Sequence, residues 1–200
     1  MHYDALAGDH GLPFDPINAL VSPRPIGWIS TLSADGVPNL APYSYFNLVA
    51  AKPGVVMFGS SSLKDSQRNV EQTGEFVCNL ATWDLREAVN RSSVPAGPEV
   101  DEFALTGLKT APSRWVRPPR VAMAPAALEC RYIETVALPT GAPGQLHKAS
   151  LILGLVVGVY INDANLVEGR VDVTRMRPLA RLGYMDYSVT DDVFIMERAV

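Results

Sequence analysis

The chain has 200 residues, with 17 Lys and Arg against 21 Asp and Glu and a formal charge of -4. That length suffices for one domain with a real core, and the mild acidic balance excludes the basic face that nucleic-acid or polybasic membrane binding requires. Only 19% of residues are charged and 48% are hydrophobic, so the chain holds a large core, hides surface in an oligomer, or does both.

Up to Pro25 the chain is loop-like, carrying Pro13, Pro16, Pro23 and Pro25 without periodicity. No basic region precedes an apolar run there, so no signal peptide is read and a cytoplasmic location is expected. Ile26 to Leu32 reads as a strand, followed by the Asp35-Gly36 hairpin signal. Val37 to Ala50 reads as one irregular strand bent by Pro38 and Pro42. The apolar run Val55 to Phe58 predicts a strand buried on both faces. Ser62 and Asp65 stand at capping-box-like spacing and Gly74 suits a stop, so a short helix is expected over 67–73. Phe76, Cys78 and Leu80 alternate as a strand. Thr82 is placed to cap a second helix, with Leu85 and Val89 on one face.

The Pro-rich stretch 93–119 predicts an excursion outside the core. Alternation returns at Leu128, Cys130 and Tyr132, and 139–144 is a turn cluster. Strands are expected over 146–161 and 170–173, a loop over 175–187, and a last short strand over 193–197. The apolar run Leu151 to Ile161 is too short to span a bilayer. No repeat or linker divides the chain, so 1–200 is expected to be a single domain. Strands without strand–helix alternation predict a mainly β fold with short helices, an antiparallel barrel. Cys78 and Cys130 form no Cys-x-x-Cys pair and read as buried reduced thiols.

The chain lacks a Gly-x-Gly-x-x-Gly, a P-loop, a His-Glu-x-x-His and a Gly-x-Ser-x-Gly. No residues cluster at metal-ligand spacing, and His147 is the only histidine near predicted strands. Either the protein does no covalent chemistry or a cofactor carries it. Two stretches exceed what a core needs. Asn39-Leu40-Ala41-Pro42-Tyr43-Ser44-Tyr45-Phe46-Asn47 places three aromatics among small and amide residues, with Pro42 removing a ladder donor; it suits a flat aromatic ligand or a subunit interface. Ser60, Ser61, Ser62, Lys64 and Ser66, with Arg68, combine hydroxyls, cations and a helix N-terminus, as a phosphate site or a solvated capped helix would. Together they point to a phosphorylated aromatic ligand such as flavin mononucleotide (FMN).

Ser22-Pro23-Arg24-Pro25-Ile26-Gly27-Trp28-Ile29-Ser30-Thr31, Asp35-Gly36, Asn39 through Asn47, Lys64-Asp65-Ser66, Thr73 through Leu80 and Arg181-Leu182-Gly183 resemble the flavin reductase-like proteins. The resemblance implies an FMN-binding antiparallel split β-barrel, a homodimer with flavin near the subunit interface, and NADH or NADPH as hydride donor. It implies that Tyr43 to Asn47 line the isoalloxazine, that Ser60 to Ser62 reach the ribityl chain or phosphate, and that Lys64 and Ser66 hold the phosphate. It also implies that Arg181, Gly183 and Tyr187 close over the cofactor, and that flavin N5, not a side chain, carries the chemistry. The acceptor would be free flavin or a redox partner. Three departures stand out: Tyr184 replaces a second glycine, Leu155 replaces an acid, and His147 is seven residues before Gly154, further than the histidine that some relatives place near the nicotinamide. A flavoredoxin-like electron carrier without a nicotinamide site is therefore an alternative, and a non-flavin ligand-binding barrel is a third.

Overall fold

The computed structural model describes residues 1–138 and 149–199. The turn expected over 139–144, the start of the strand expected over 146–161, and His147 lie outside them. The chain enters through α1 (Ile17–Leu20) and β1 (Arg24–Pro25). β2 (Gly27–Leu32) and β3 (Pro38–Tyr43) form the hairpin expected across Asp35-Gly36, pairing Gly27 with Tyr43 and Leu32 with Pro38. β4 (Phe46–Ala51) and β5 (Gly54–Ser60) make a second hairpin, followed by α2 (Asp65–Thr73) and β6 (Glu75–Leu80). α3 (Arg86–Arg91), α4 (Glu102–Thr106), β7 (Thr110–Ala111) and β8 (Arg120–Val121) lead to the long strands β9 (Ala126–Ala137) and β10 (Ser150–Ile161). β11 (Leu166–Val167), β12 (Arg170–Val171), α5 (Val173–Met176), β13 (Leu179–Arg181) and β14 (Tyr187–Val189) complete the chain.

Seven strands form one antiparallel sheet in the order β3-β2-β6-β9-β10-β5-β4. Its two edges, β3 and β4, are separated in the chain only by Ser44 and Tyr45. An extended chain covers at most ~3.6 Å per residue, whereas neighbouring strands lie about 4.8 Å apart. A two-residue link cannot cross a flat seven-stranded sheet, so the sheet curls until the end of β3 and the start of β4 are neighbours at the link. β3 and β4 do not pair, and the barrel is split rather than closed. Gly27 permits the approach, because a Cβ there would lie 2.5 Å from the Phe46 ring. The Gly59 N–H donates to the Tyr45 carbonyl at 2.7 Å and fixes the link.

Successive residues of β2 point to opposite faces, and both faces are covered. Ile29 joins the barrel interior with Tyr43, Val56, Phe58, Phe76, Cys78, Cys130 and Ile152. Phe58 bridges Tyr43 and Phe76 at centroid distances of 4.9 and 5.6 Å. Removing a ring such as Phe76 costs about 3–5 kcal/mol. Trp28 faces the other way, onto Leu40, Leu85, Val89, Phe103 and Val121. Both cysteines are free and buried, as expected, and burial pushes the Cys78 thiol well up.

Several expectations fail for identifiable reasons. The single strand expected over 37–50 is two strands on opposite edges, because Ser44 and Tyr45 leave one ladder and enter the other. The 93–119 excursion contributes buried Phe103 and Val116 to the core; its prolines mask a short helix, α4, capped by the Asp101 carboxylate. Helix α2 begins at Asp65 with Lys64 as N-cap and no side-chain cap, so Ser62 and Asp65 form no capping box, although Gly74 stops the helix at φ 76°. Thr82 likewise makes no capping hydrogen bond. The expected loop over 175–187 contains β13 and opens into β14, while 170–173 shortens to β12 and runs into α5. The segment 193–197 forms no strand.

Candidate functional site

The link between β3 and β4 divides the predicted site residues between two sides. On one side, Tyr43, Lys64 and Ser66 line a cavity of about 470 Å³ with Asn39, Arg68, Glu102 and the chain from Ser92 to Ala96. Helix α2 supplies its base. The first N–H groups of a helix have no intrahelical acceptor, and here no side chain caps them. Arg68 pairs with Asp65, whereas Lys64 lies 5.8 Å over the Tyr43 ring. α2 is held against the barrel by Asn69 Nδ2, which donates to Thr31 Oγ1 at 3.0 Å, and by buried Val70.

Tyr43 is buried, and among the described residues its hydroxyl has no hydrogen-bond partner. The neighbouring Ser60 Oγ donates to the Ser62 carbonyl at 2.6 Å, and Ser66 Oγ accepts from Asn39 Nδ2 at 3.0 Å. Burial pushes the phenol up to about 12, with the Ser66 and Ser60 hydroxyls acting in the opposite direction. The phenol is therefore neutral, beside the Ser60 and Ser66 hydroxyls. Glu102 is also buried; one carboxylate oxygen accepts from Leu40 N–H at 2.9 Å, and burial holds its carboxyl above the ordinary range. Uncapped amides, the Lys64 ammonium and the serine hydroxyls form a donor set suited to a phosphate. Ser61 and Ser62 are exposed just before this turn.

On the other side of the link, Ser44 and Tyr45 line a cavity of about 280 Å³ with Phe14, Asp15, Asn18, Arg24, Arg181 and Tyr184. Arg181 also borders a third cavity, of about 390 Å³, that includes Tyr187, Trp83 and Arg86. Gly183 packs under α1, where a Cβ would come within 2.5 Å of the Ala19 side chain. Phe46 covers Gly27 and faces Cys78 and Leu128. Asn47 is exposed, its Oδ1 accepting from Leu48 N–H at 2.8 Å. The structure thus gathers Tyr43, Lys64 and Ser66 and places Arg181, Gly183 and Tyr187 beyond the link. Sequence reasoning missed Glu102 and Arg24; the one faint signal was Arg24 between two prolines. Among the described residues no three His, Cys, Asp or Glu side chains group as metal ligands, and no helix is long and apolar enough to cross a membrane.

A curled seven-stranded antiparallel sheet with short helices and unpaired edges defines the class of split-barrel folds. Residues 20–187 match the family described as flavin reductase like domain, and the chain belongs to that family. An uncharacterised protein of Aquifex aeolicus is 36% identical over 170 residues, which span 82% of this chain and 83% of that protein. The 2-nitrobenzoate 2-nitroreductase NbaA of Pseudomonas fluorescens superposes with a TM-score of 0.86 at 25% identity, over 100% of this chain and 96% of its own. Nitrilotriacetate monooxygenase component B from Bacillus cereus superposes with a TM-score of 0.84 at 26% identity, over 92% of this chain and 98% of its own.

Proposed function

We propose that the protein is an FMN-binding oxidoreductase that takes hydride from NADH or NADPH and passes the electrons to free flavin or a redox partner. The observation that carries this reading is the convergence of uncapped α2, Lys64, Ser66 and Tyr43 on one cavity. The helix N–H groups and Lys64 would hold the flavin phosphate, and Tyr43 would donate the hydrogen bond it lacks. Ser60, Ser61 and Ser62 would meet the ribityl chain. Ser44, Tyr45, Phe46 and Asn47 would wall the ring system, with Arg181, Gly183 and Tyr187 at its far end. Bound flavin supplies hydride acceptance at N5, so the side chains have only to bind, orient and exclude water. The names of the two solved neighbours, a nitroreductase and a monooxygenase component, support a redox role.

Anaerobic stopped-flow mixing of the FMN-loaded protein with NADH and with NADPH tests this. The expected outcome is bleaching of the visible flavin band by at least one nucleotide on the timescale of turnover. Protein that cannot be loaded with FMN sinks the reading. FMN that dithionite reduces but neither nucleotide reduces leaves a flavoredoxin-like carrier. Leu155 favours that second reading, because it occupies a mid-sheet position between Val55 and Arg131 where an acid is otherwise expected.

A further inference from the structure

Segments from opposite ends of the chain are fastened together beside the Ser44-Tyr45 link. Arg24 is the staple: its Nη1 donates to the Asn18 and Val21 carbonyls at 2.5 Å each, and its Nη2 to the Leu182 carbonyl at 2.9 Å. One side chain thereby holds α1 and the turn after β13 to β1. Gly183 packs against Ala19 with no room for a Cβ, and the Tyr45 hydroxyl donates to Asn18 Oδ1 at 2.9 Å. Among the residues lining the adjoining cavity of about 280 Å³, Arg24 is only 9% exposed, whereas Phe14 and Tyr184 are 69 and 49% exposed. That contrast puts the two rings at the mouth of the cavity, where their centroids lie 5.7 Å apart.

Tyr184 takes this position against its backbone preference. The Asp186 N–H donates to the Gly183 carbonyl at 3.0 Å, closing a turn with Tyr184 and Met185 at its centre. Tyr184 has φ 56°, and Met185 is not in the positive region. A turn with positive φ at its first central residue alone is of type II′, where glycine fits without strain. A tyrosine persists there only where its surroundings hold it. Arg181 Nη2 does so by donating to the Tyr184 carbonyl, and the Leu182 N–H donates to the Asp186 carbonyl at 3.0 Å. The half-exposed ring adds little to the core. What the strained turn secures is an aromatic ring opposite Phe14.

Resting on the reading of Ser44, Tyr45 and Arg181 as walls of the flavin ring, we propose that Phe14 and Tyr184 form an aromatic clasp that retains the cofactor. Aromatic rings hold a flat π-system by offset or edge contacts, and both rings stand where such a system would enter and leave. The clasp makes FMN a prosthetic group kept through turnover instead of a substrate exchanged at each cycle. Neither ring carries a group that takes part in hydride transfer, so both act on retention alone.

The rate of FMN release tests this, followed as flavin fluorescence in filtrates taken at intervals after dilution of loaded protein. Urea denaturation of the flavin-free protein is the companion measurement. Tyr184→Gly should speed release about tenfold, the equivalent of ~1.4 kcal/mol. It should leave the flavin-free protein as stable as before or more stable, because glycine suits the turn. Tyr184→Phe keeps the ring and should release FMN at the wild-type rate. Phe14→Ala, at an exposed position, should also speed release, and the double variant should fall short of the product of the two single effects. Wild-type release rates in both single variants overturn the clasp, as does loss of flavin-free stability in Tyr184→Gly that matches its faster release. FMN that leaves the wild type within the mixing time overturns it too. In each of these cases the flavin reading stands, whereas wild-type protein that takes up no FMN removes both.

Discussion

Tyr43 is where the architecture and the proposed chemistry meet, because its ring belongs to the barrel core and the residue also lines the cavity. A buried hydroxyl without a partner costs about 1–3 kcal/mol. Tyr43→Phe should therefore leave the flavin-free protein as stable as before, or more stable, in urea denaturation. The same substitution should weaken FMN binding about tenfold, the loss of one hydrogen bond to a charged group, ~1.5 kcal/mol. A parallel fall in both would make the hydroxyl part of the fold instead of the site. The phenol also sets an alkaline limit. Its folded-state value of about 12 exceeds the ordinary 10.0, so the folded protein keeps a proton that the unfolded chain releases. Its share of stability is complete below pH 10 and is lost as pH rises toward 12, and Tyr43→Phe should flatten that limb. Lys64→Glu probes the phosphate itself by placing a repelling charge at the N-cap of α2. A rise of at least ten- to a hundredfold in the FMN dissociation constant, about 1.5–3 kcal/mol, is expected from quenching of flavin fluorescence. An unchanged constant would move the phosphate elsewhere.

Among the elements, α4 shows how the cavity wall is tied to the sheet. Glu102 reaches across to the buried Leu40 N–H of β3, so the wall and the strand leading to Tyr43 are one unit. Its carboxyl is raised above the ordinary 4.5. Stability from this group is thus fully present below pH 4.5 and is lost as pH rises through the raised value. Glu102→Gln keeps an acceptor for Leu40 and removes the ionisation, so it should stabilise the protein at neutral pH and flatten this pH dependence. Glu102→Ala strands a buried N–H and should cost about 1–3 kcal/mol in urea denaturation. If Gln and Ala are equally destabilising, the bond to Leu40 is not what matters. This tie could not be read from the sequence. The strands β2, β5 and β6 were legible because each carries its own apolar run or alternation, and Gly74 marked the end of α2 for a local steric reason. The capping box, in contrast, was a spacing without a bond. Phe103 was lost in a Pro-rich stretch because its burial depends on Trp28 and Leu40, which are distant in sequence. β13 and β14 span three residues each, too few for any periodicity, and exist because β1 offers β13 an edge. That Tyr43, Lys64 and Ser66 carry suitable residue types for the candidate site was legible, but that they line one cavity apart from Arg181 and Tyr187 follows from the curl of the sheet.

At the scale of the whole molecule, the low charge count finds its expression in surface as well as core. β4 is an edge strand whose residues Phe46 to Ala51 carry no charge. Leu48 and Val49 are each more than half exposed. Exposed apolar edges invite pairing, and soluble proteins normally blunt them with lysine, proline or a covering element. The C-terminal segment adds Val193, Phe194, Ile195 and Met196, at 60 to 85% exposure. We propose that a second copy of the chain covers these surfaces in a homodimer. Because β4 continues directly from the Ser44-Tyr45 link, that interface would border the proposed flavin wall, and assembly and cofactor binding should be coupled. Light scattering on the purified protein should give twice the chain mass of 21.6 kDa. Leu48→Lys, which adds the charge natural edge strands use, should shift the protein toward monomer while circular dichroism stays unchanged. It should also weaken FMN binding, although Leu48 lines none of the cavities around Tyr43 or Arg24. A wild-type monomer with full FMN affinity would show that one chain completes the site alone, and that the exposed edge has another use.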